Sequence, residues 1–207
     1  MTGARAALYA RVVRDDDRER WSERHRADAG LPPPSAFVER AVGLFGAPPA
    51  PAARRALDVA CGRGRHALWL AARGYAVDAV DYALPALTAL QRTARDRRLD
   101  VRCVAADVGQ WPFATARYDL VVVVSFLDRT LWPALRAAVA PGGALLVETF
   151  VADPSMAAPP MNPAYLLAPG ELDDVCAGWE VVARYAGVGS HHDARIARAG
   201  VLARRPH

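Results

Sequence analysis

Residues 118 to 124 read Tyr-Asp-Leu-Val-Val-Val-Val. Four consecutive β-branched residues favour an extended backbone and leave no polar face for water. A strand of that kind is buried on both sides, as in a parallel sheet covered by helices. The flanking sequence repeats the demand. Short apolar runs at 56–59, 76–80, 101–105 and 144–150 alternate with helix-length segments at 65–73, 84–98 and 131–139. Gly74 closes the first segment at a position suited to a left-handed residue, and Pro141-Gly142-Gly143 stops the third. This β-α-β order predicts a doubly wound parallel α/β sheet. The tail departs from it. Runs at 179–185 and 195–203 have no helix between them, which predicts an antiparallel C-terminal hairpin through residues 187–193. The count is seven strands, mostly parallel.

Proline-rich stretches at 32–34, 48–51 and 154–163 mark loops or boundaries. Before the second stretch lie two helical segments, 15–29 and 35–45, the latter with Ser35 as N-cap. The expected organisation is an N-terminal helical cap over residues 1–51 and a ligand-binding domain over 52–207. The net charge is +4 and every basic residue outside histidine is arginine. No basic cluster is interleaved with aromatics, which argues against nucleic acid as a partner. No apolar run reaches the roughly 18 residues of a membrane span. Residues 1–13 are broken by Arg5 and Arg11 and run into Arg14 and Asp15-Asp16-Asp17, a poor secretion signal. These features predict a cytoplasmic protein without a membrane partner. Cys61, Cys103 and Cys176 are scattered and form no C-x-x-C pair, so neither a metal site nor a disulfide framework is expected.

The first strand runs into Ala60-Cys61-Gly62-Arg63-Gly64. Glycines at 62 and 64 let the backbone turn sharply and approach a ligand, and the following helix presents backbone donors. Ligands of a doubly wound sheet bind beyond the carboxyl ends of its strands. Asp81 ends the second strand, where a carboxylate can accept two ribose hydroxyls. Asp107 follows the third, where it can accept from an adenine amine while Val108 packs on the base. An NAD enzyme would share Asp81, so the loop alone does not choose a cofactor. Cys61 at a helix start admits a redox reading beside that of a small residue in a tight turn.

Asp58-Val59-Ala60-Cys61-Gly62-Arg63-Gly64-Arg65, Asp81, Asp107, Tyr118-Asp119-Leu120-Val121 and Pro141-Gly142-Gly143 together resemble the ordered motifs of class I S-adenosylmethionine-dependent methyltransferases. Trp21 with Arg24-His25, Gly64 to Ala71, Glu148-Thr149-Phe150 and Pro169-Gly170-Glu171-Leu172 are similar to the tellurite-resistance methyltransferases within that superfamily. The resemblance implies a Rossmann-like fold, S-adenosylmethionine as cofactor and a small-molecule methyl acceptor, with tellurite- or selenite-like oxyanions as one class.

By the same resemblance, Ala60, Gly62 and Gly64 meet the methionine part of the cofactor. Asp81 holds the ribose, with Tyr82 beside the adenine, and Asp107 and Val108 fix the base. Ser125 lines the site near the transferred methyl. His191 and Arg195 match family residues at the tail connection and are the candidate catalytic pair, with His192 standing where the family has an arginine. Trp21 and His25 share a helix face expected to close over the cofactor. Two other readings stay open: a non-catalytic S-adenosylmethionine-binding protein, and an NAD-binding oxidoreductase.

Overall fold

The computed structural model describes residues 30–47, 50, 53–152, 163–188 and 197–207. The helix expected at 15–29, Trp21, His25, His191, His192 and Arg195 lie outside these residues.

The core is a seven-stranded sheet in the order β3-β2-β1-β4-β5-β7-β6. The strands are β1 (Arg54–Val59), β2 (Tyr75–Asp81), β3 (Val101–Ala105), β4 (Tyr118–Val124), β5 (Val139–Phe150), β6 (Glu180–Val188) and β7 (Ala197–Arg204). The first five are parallel to one another. β7 is antiparallel to both β5 and β6. The expected doubly wound, mostly parallel sheet with its antiparallel hairpin is therefore the observed architecture, and the fold is Rossmann-like. Sequence order reverses direction across the sheet at β1, between β2 and β4, which opens a crevice at their carboxyl ends.

Side chains of β1 to β5 and β7 alternate between two apolar layers, while β6 contributes to one of them. One layer joins the sheet to α1 (Ala36–Phe45), α2 (Arg65–Ala71) and α3 (Leu84–Asp96), through Val38, Leu70 and Leu90 among others. The other joins it to α4 (Trp132–Ala138) and α5 (Glu171–Val175), through Leu135 and Leu172. In β4, Leu120, Val122 and Val124 face the first layer while Val121 and Val123 face the second. The valine run is thus buried on both faces, as its composition demands.

Helix α1 starts where expected. The Ser35 hydroxyl accepts the Phe37 amide at 3.2 Å. Its apolar stripe, Phe37, Val38, Ala41 and Val42, is buried in the first layer. The expected helix at 131–139 is shorter and begins as a 3-10 turn over Arg129–Leu131. Pro141-Gly142-Gly143 stops no helix; it lies inside β5. Gly142, at φ 73°, donates to the Arg205 carbonyl, and Gly143 accepts the Arg205 amide. A segment that cannot stay helical is held extended by a neighbour far along the chain. No helix among the described residues is long and apolar enough to cross a membrane.

Candidate active site

Four strand ends converge on the crevice. β1 gives way to a turn in which Ala60, Gly62 and Gly64 all have left-handed backbone, at φ 53°, 54° and 75°. For alanine that conformation costs about 1–2 kcal/mol. The turn is held by the Cys61 amide donating to the Val80 carbonyl at 3.1 Å and the Gly64 amide to the Cys61 carbonyl at 2.9 Å. Gly64 is required for space as well as φ. A Cβ there would stand 2.3 Å from Leu90 Cδ1, inside the core.

Asp58 and Asp81 fasten this turn from below and beside it. Asp58 is 2% exposed, and its Oδ2 accepts the Ala67 amide at 3.0 Å. One of the donors that the sequence leaves open at the start of α2 is therefore used internally. Burial pushes the Asp58 carboxyl up to about 7, against the pull of that hydrogen bond, with the Asp81 charge adding to the rise. Asp81 Oδ2 accepts the Gly62 amide at 2.7 Å, and Oδ1 accepts the Ala83 amide at 2.8 Å. Each carboxylate oxygen has two lone pairs, so both retain capacity for a hydroxyl donor.

Tyr82 follows Asp81 and is half-buried. Asp107 folds onto its own turn, Oδ1 accepting the Gly109 amide at 2.9 Å. Val108 is buried in the second apolar layer. Ser125, just past β4, has left-handed backbone at φ 58°, as do Ala60 and, away from the crevice, Arg98 and Ala116; its amide donates to the Glu148 carbonyl at 2.8 Å. Residues in such conformations collect at ligand sites. The structure thus brings Ala60, Gly62, Gly64, Asp81, Tyr82 and Ser125 to the carboxyl ends of β1, β2 and β4, with Asp107 and Val108 after β3.

Three residues of this turn and of the first turn of α2 take structural roles. The Cys61 thiol is pushed well above its usual range, first by burial and then by Asp58 and Asp81, which opposes a thiolate at neutral pH. His66 is buried, and its Nε2 accepts the Ser35 amide at 3.2 Å, tying α2 to the start of α1. Arg63 Nη1 reaches the Gly30 carbonyl at 3.4 Å.

The sequence reading missed a polar group on the same face. Glu148 in β5 is fully buried, and its Oε1 accepts the Tyr185 hydroxyl at 2.5 Å. Arg198 in β7 is 5% exposed and donates from Nη2 to Ser125 Oγ at 2.7 Å. Gly200 makes room for this arrangement. A Cβ there would lie 2.7 Å from both the Phe37 and Tyr185 rings. The available signal was alternation: Glu148 follows Leu146, and Arg198 precedes Gly200 and Leu202, on the face their strands turn to the core. Farther along, Arg129 grips Glu171 through Nε and Nη2 at 2.7 and 2.8 Å, fixing the start of α5. A separate cavity of about 640 Å³ lies beside α5 and the hairpin, lined by Leu167, Gly170, Glu171, Arg184 and Tyr185; none of the cofactor residues named from the sequence lines it.

Residues 56–143 match the family model described as a methyltransferase domain. The chain is 37% identical over 111 residues to demethylmenaquinone methyltransferase from Thermus thermophilus, a match covering 50% of each chain. The chain therefore spans about half the length of that curated relative. Among solved structures it is similar to TehB from Haemophilus influenzae, with TM-score 0.69 and 21% identity over 90% of this chain and 66% of that one. It is also similar to geranyl diphosphate C-methyltransferase from Streptomyces coelicolor A3(2), with TM-score 0.67 and 14% identity over 90% and 97% of the two chains. That structure is a complex with Mg2+, geranyl diphosphate and S-adenosyl-L-homocysteine.

Proposed function

We propose that this chain, which carries a class I S-adenosylmethionine-dependent methyltransferase domain, transfers the methyl group of that cofactor to a small-molecule acceptor. The observation that carries the reading is the Asp81–Gly62 bond. It couples the acid at the end of β2 to the left-handed turn after β1, so one rigid unit presents a hydroxyl-accepting carboxylate beside a backbone that a ligand can approach closely. The residues present fit the cofactor. Asp81 would take the ribose hydroxyls, the Ala60–Gly64 turn the amino-acid end, and Tyr82, Asp107 and Val108 the adenine side.

S-adenosylmethionine supplies a methyl carbon already activated by a positive sulfur. The remaining work falls to the chain. The strained turns at Ala60 and Ser125 fix the geometry before binding, which favours an in-line approach. Asp58 holds the first turn of α2 in place. A general base is required only for an acceptor protonated at working pH.

For the acceptor end, we assign His191 and Arg195, and an oxyanion of the tellurite or selenite kind as one acceptor class. The register of the hairpin supports this. Val188 pairs with Ala197, and Phe150 at the carboxyl end of β5 pairs with Arg198. The described ends of the 189–196 connection therefore lie at the same end of the sheet as Ser125. An imidazole and a guanidinium together can bind an anion or pass a proton. Residues 1–51 are in this reading an N-terminal helical cap segment whose α1 packs on the sheet, and the protein works in the cytoplasm.

Calorimetry tests the first step. The protein is expected to bind S-adenosylmethionine and S-adenosylhomocysteine and not NAD. Product analysis with methyl-labelled cofactor, run against selenite, tellurite, thiols and small carboxylates, then separates a transferase from a protein that only binds. Preferential NAD binding would overturn the reading.

A further inference from the structure

A buried cation at the start of β7 keeps one donor without a hydrogen bond. Arg198 Nη2 donates to Ser125 Oγ, and the guanidinium carbon lies 4.3 Å from the centre of the Phe150 ring. Its Nε is buried with no hydrogen-bond partner among the described residues. Glu148 Oε1 stands 3.8 Å from that Nε, beyond hydrogen-bond reach, and already accepts the Tyr185 hydroxyl. The Arg129–Glu171 pair shows what a completed fork looks like in the same molecule, with two contacts at 2.7 and 2.8 Å. A guanidinium withdrawn from water with an open donor is costly to keep. Its planar fork matches the geometry of a carboxylate.

We propose that Arg198 and Ser125 form a subsite for the carboxylate of a small ligand, at the methyl-transfer end of the crevice. The inference rests on the methyltransferase reading. Ser125 lies two residues beyond Val123, which pairs with Val59, so the subsite adjoins the Ala60 turn. The local charge balance agrees. Arg65, at the start of α2, is held below its usual range by burial and next by the facing charge of Arg198. Glu148 and Asp58 face the same two cations, and Asp58, held at about 7, leaves part of their charge unmatched near neutral pH. Glu148 and Tyr185 are positioning residues: the carboxylate takes the tyrosine hydroxyl and stands 3.8 Å from the guanidinium Nε.

The carboxylate can come from the acceptor or from the amino-acid end of the cofactor. Calorimetry on the full chain separates the two. Wild type is compared with Arg198→Met, Arg198→Lys and Ser125→Ala, each checked for fold by circular dichroism. One arm measures S-adenosylhomocysteine against 5′-methylthioadenosine, which lacks the amino-acid end. The other titrates acetate, pyruvate and benzoate into protein saturated with S-adenosylhomocysteine. A cofactor carboxylate is indicated if Arg198→Met shrinks the preference for S-adenosylhomocysteine at least tenfold. An acceptor carboxylate is indicated if that preference holds while binding of a probe carboxylate falls at least tenfold. Arg198→Lys, which keeps the charge and loses the fork, should fall between, and Ser125→Ala should move the same arm by a few fold. The subsite is overturned if both arms stay within twofold of wild type in Arg198→Lys and Ser125→Ala. Failure of the wild-type protein to bind S-adenosylhomocysteine would instead sink the methyltransferase reading.

Discussion

The Asp81 carboxylate reaches from the end of β2 across to the turn after β1 and takes the Gly62 amide at 2.7 Å. One side chain therefore sets both the shape of the glycine turn and the position of the acceptor oxygens beside it. Replacing it should harm binding twice over. Asp81→Ala should weaken S-adenosylhomocysteine by about 1.5–3 kcal/mol for each charged hydrogen bond lost. Asp81→Asn, which can still accept from Gly62, should lose less. Equal affinity of Asp81→Ala and wild type in calorimetry would remove Asp81 from the site.

Gly64 sits where its own φ and the Leu90 side chain both exclude a Cβ. Gly64→Ala should cost about 1–3 kcal/mol of stability through overpacking, beyond the cost of a left-handed alanine. Leu90→Ala alone should also destabilise, by about 2–5 kcal/mol. The double variant should lose less than the sum of the two, because the cavity accommodates the new methyl. Strict additivity in denaturant unfolding would show that the steric conflict is not what constrains residue 64.

Asp58 supplies a pH signature. Its carboxyl is held at about 7, against an ordinary value of 3.8. Between those values the folded protein keeps a proton that the unfolded chain has lost. This contribution to stability is complete below the lower value and is lost as pH rises through the upper one. Asp58→Asn has no such titration. The melting temperature of the variant, relative to wild type, should therefore climb from pH 5 to pH 8. A difference that stays constant over that range would mean Asp58 is not held neutral by burial.

The acceptor assignment has its own readout. His191→Ala and Arg195→Ala should each slow single-turnover methyl transfer at least about tenfold, equivalent to about 1.4 kcal/mol in the barrier. Cofactor affinity should be unchanged in both. Wild-type rates in both variants would move the acceptor site elsewhere.

Much of this architecture can be read in the order of residues. The first five strands are bounded by polar or glycine-rich segments and carry runs such as Val121–Val124 whose burial admits one kind of sheet. Ser35 announces its helix by local chemistry alone. The glycine turn and the acids at the carboxyl ends of β1, β2 and β3 are likewise local signals. What escapes is pairing over distance. Pro141-Gly142-Gly143 looks like a helix stop because the partner that makes it a strand, Arg205, is more than sixty residues away. Tyr185 and Glu148 are 37 residues apart, and Arg198 and Ser125 are 73 apart. No periodicity within a strand reports such a bond. His66 reads as a helix-start polar residue, and its burial against the Ser35 amide appears only once α1 packs.

The strand order carries a further consequence for synthesis. β7 is laid between β5 and β6, although it follows both in the chain. Until β7 leaves the ribosome, β5 has an uncovered edge and β6 has no described strand to join, both of them templates for wrong pairing. Arg198 arrives with that same strand. The last insertion into the sheet thus closes an aggregation-prone edge and delivers the buried cation to Ser125 in one event, so a nascent chain cannot acquire the complete crevice before its sheet is safe.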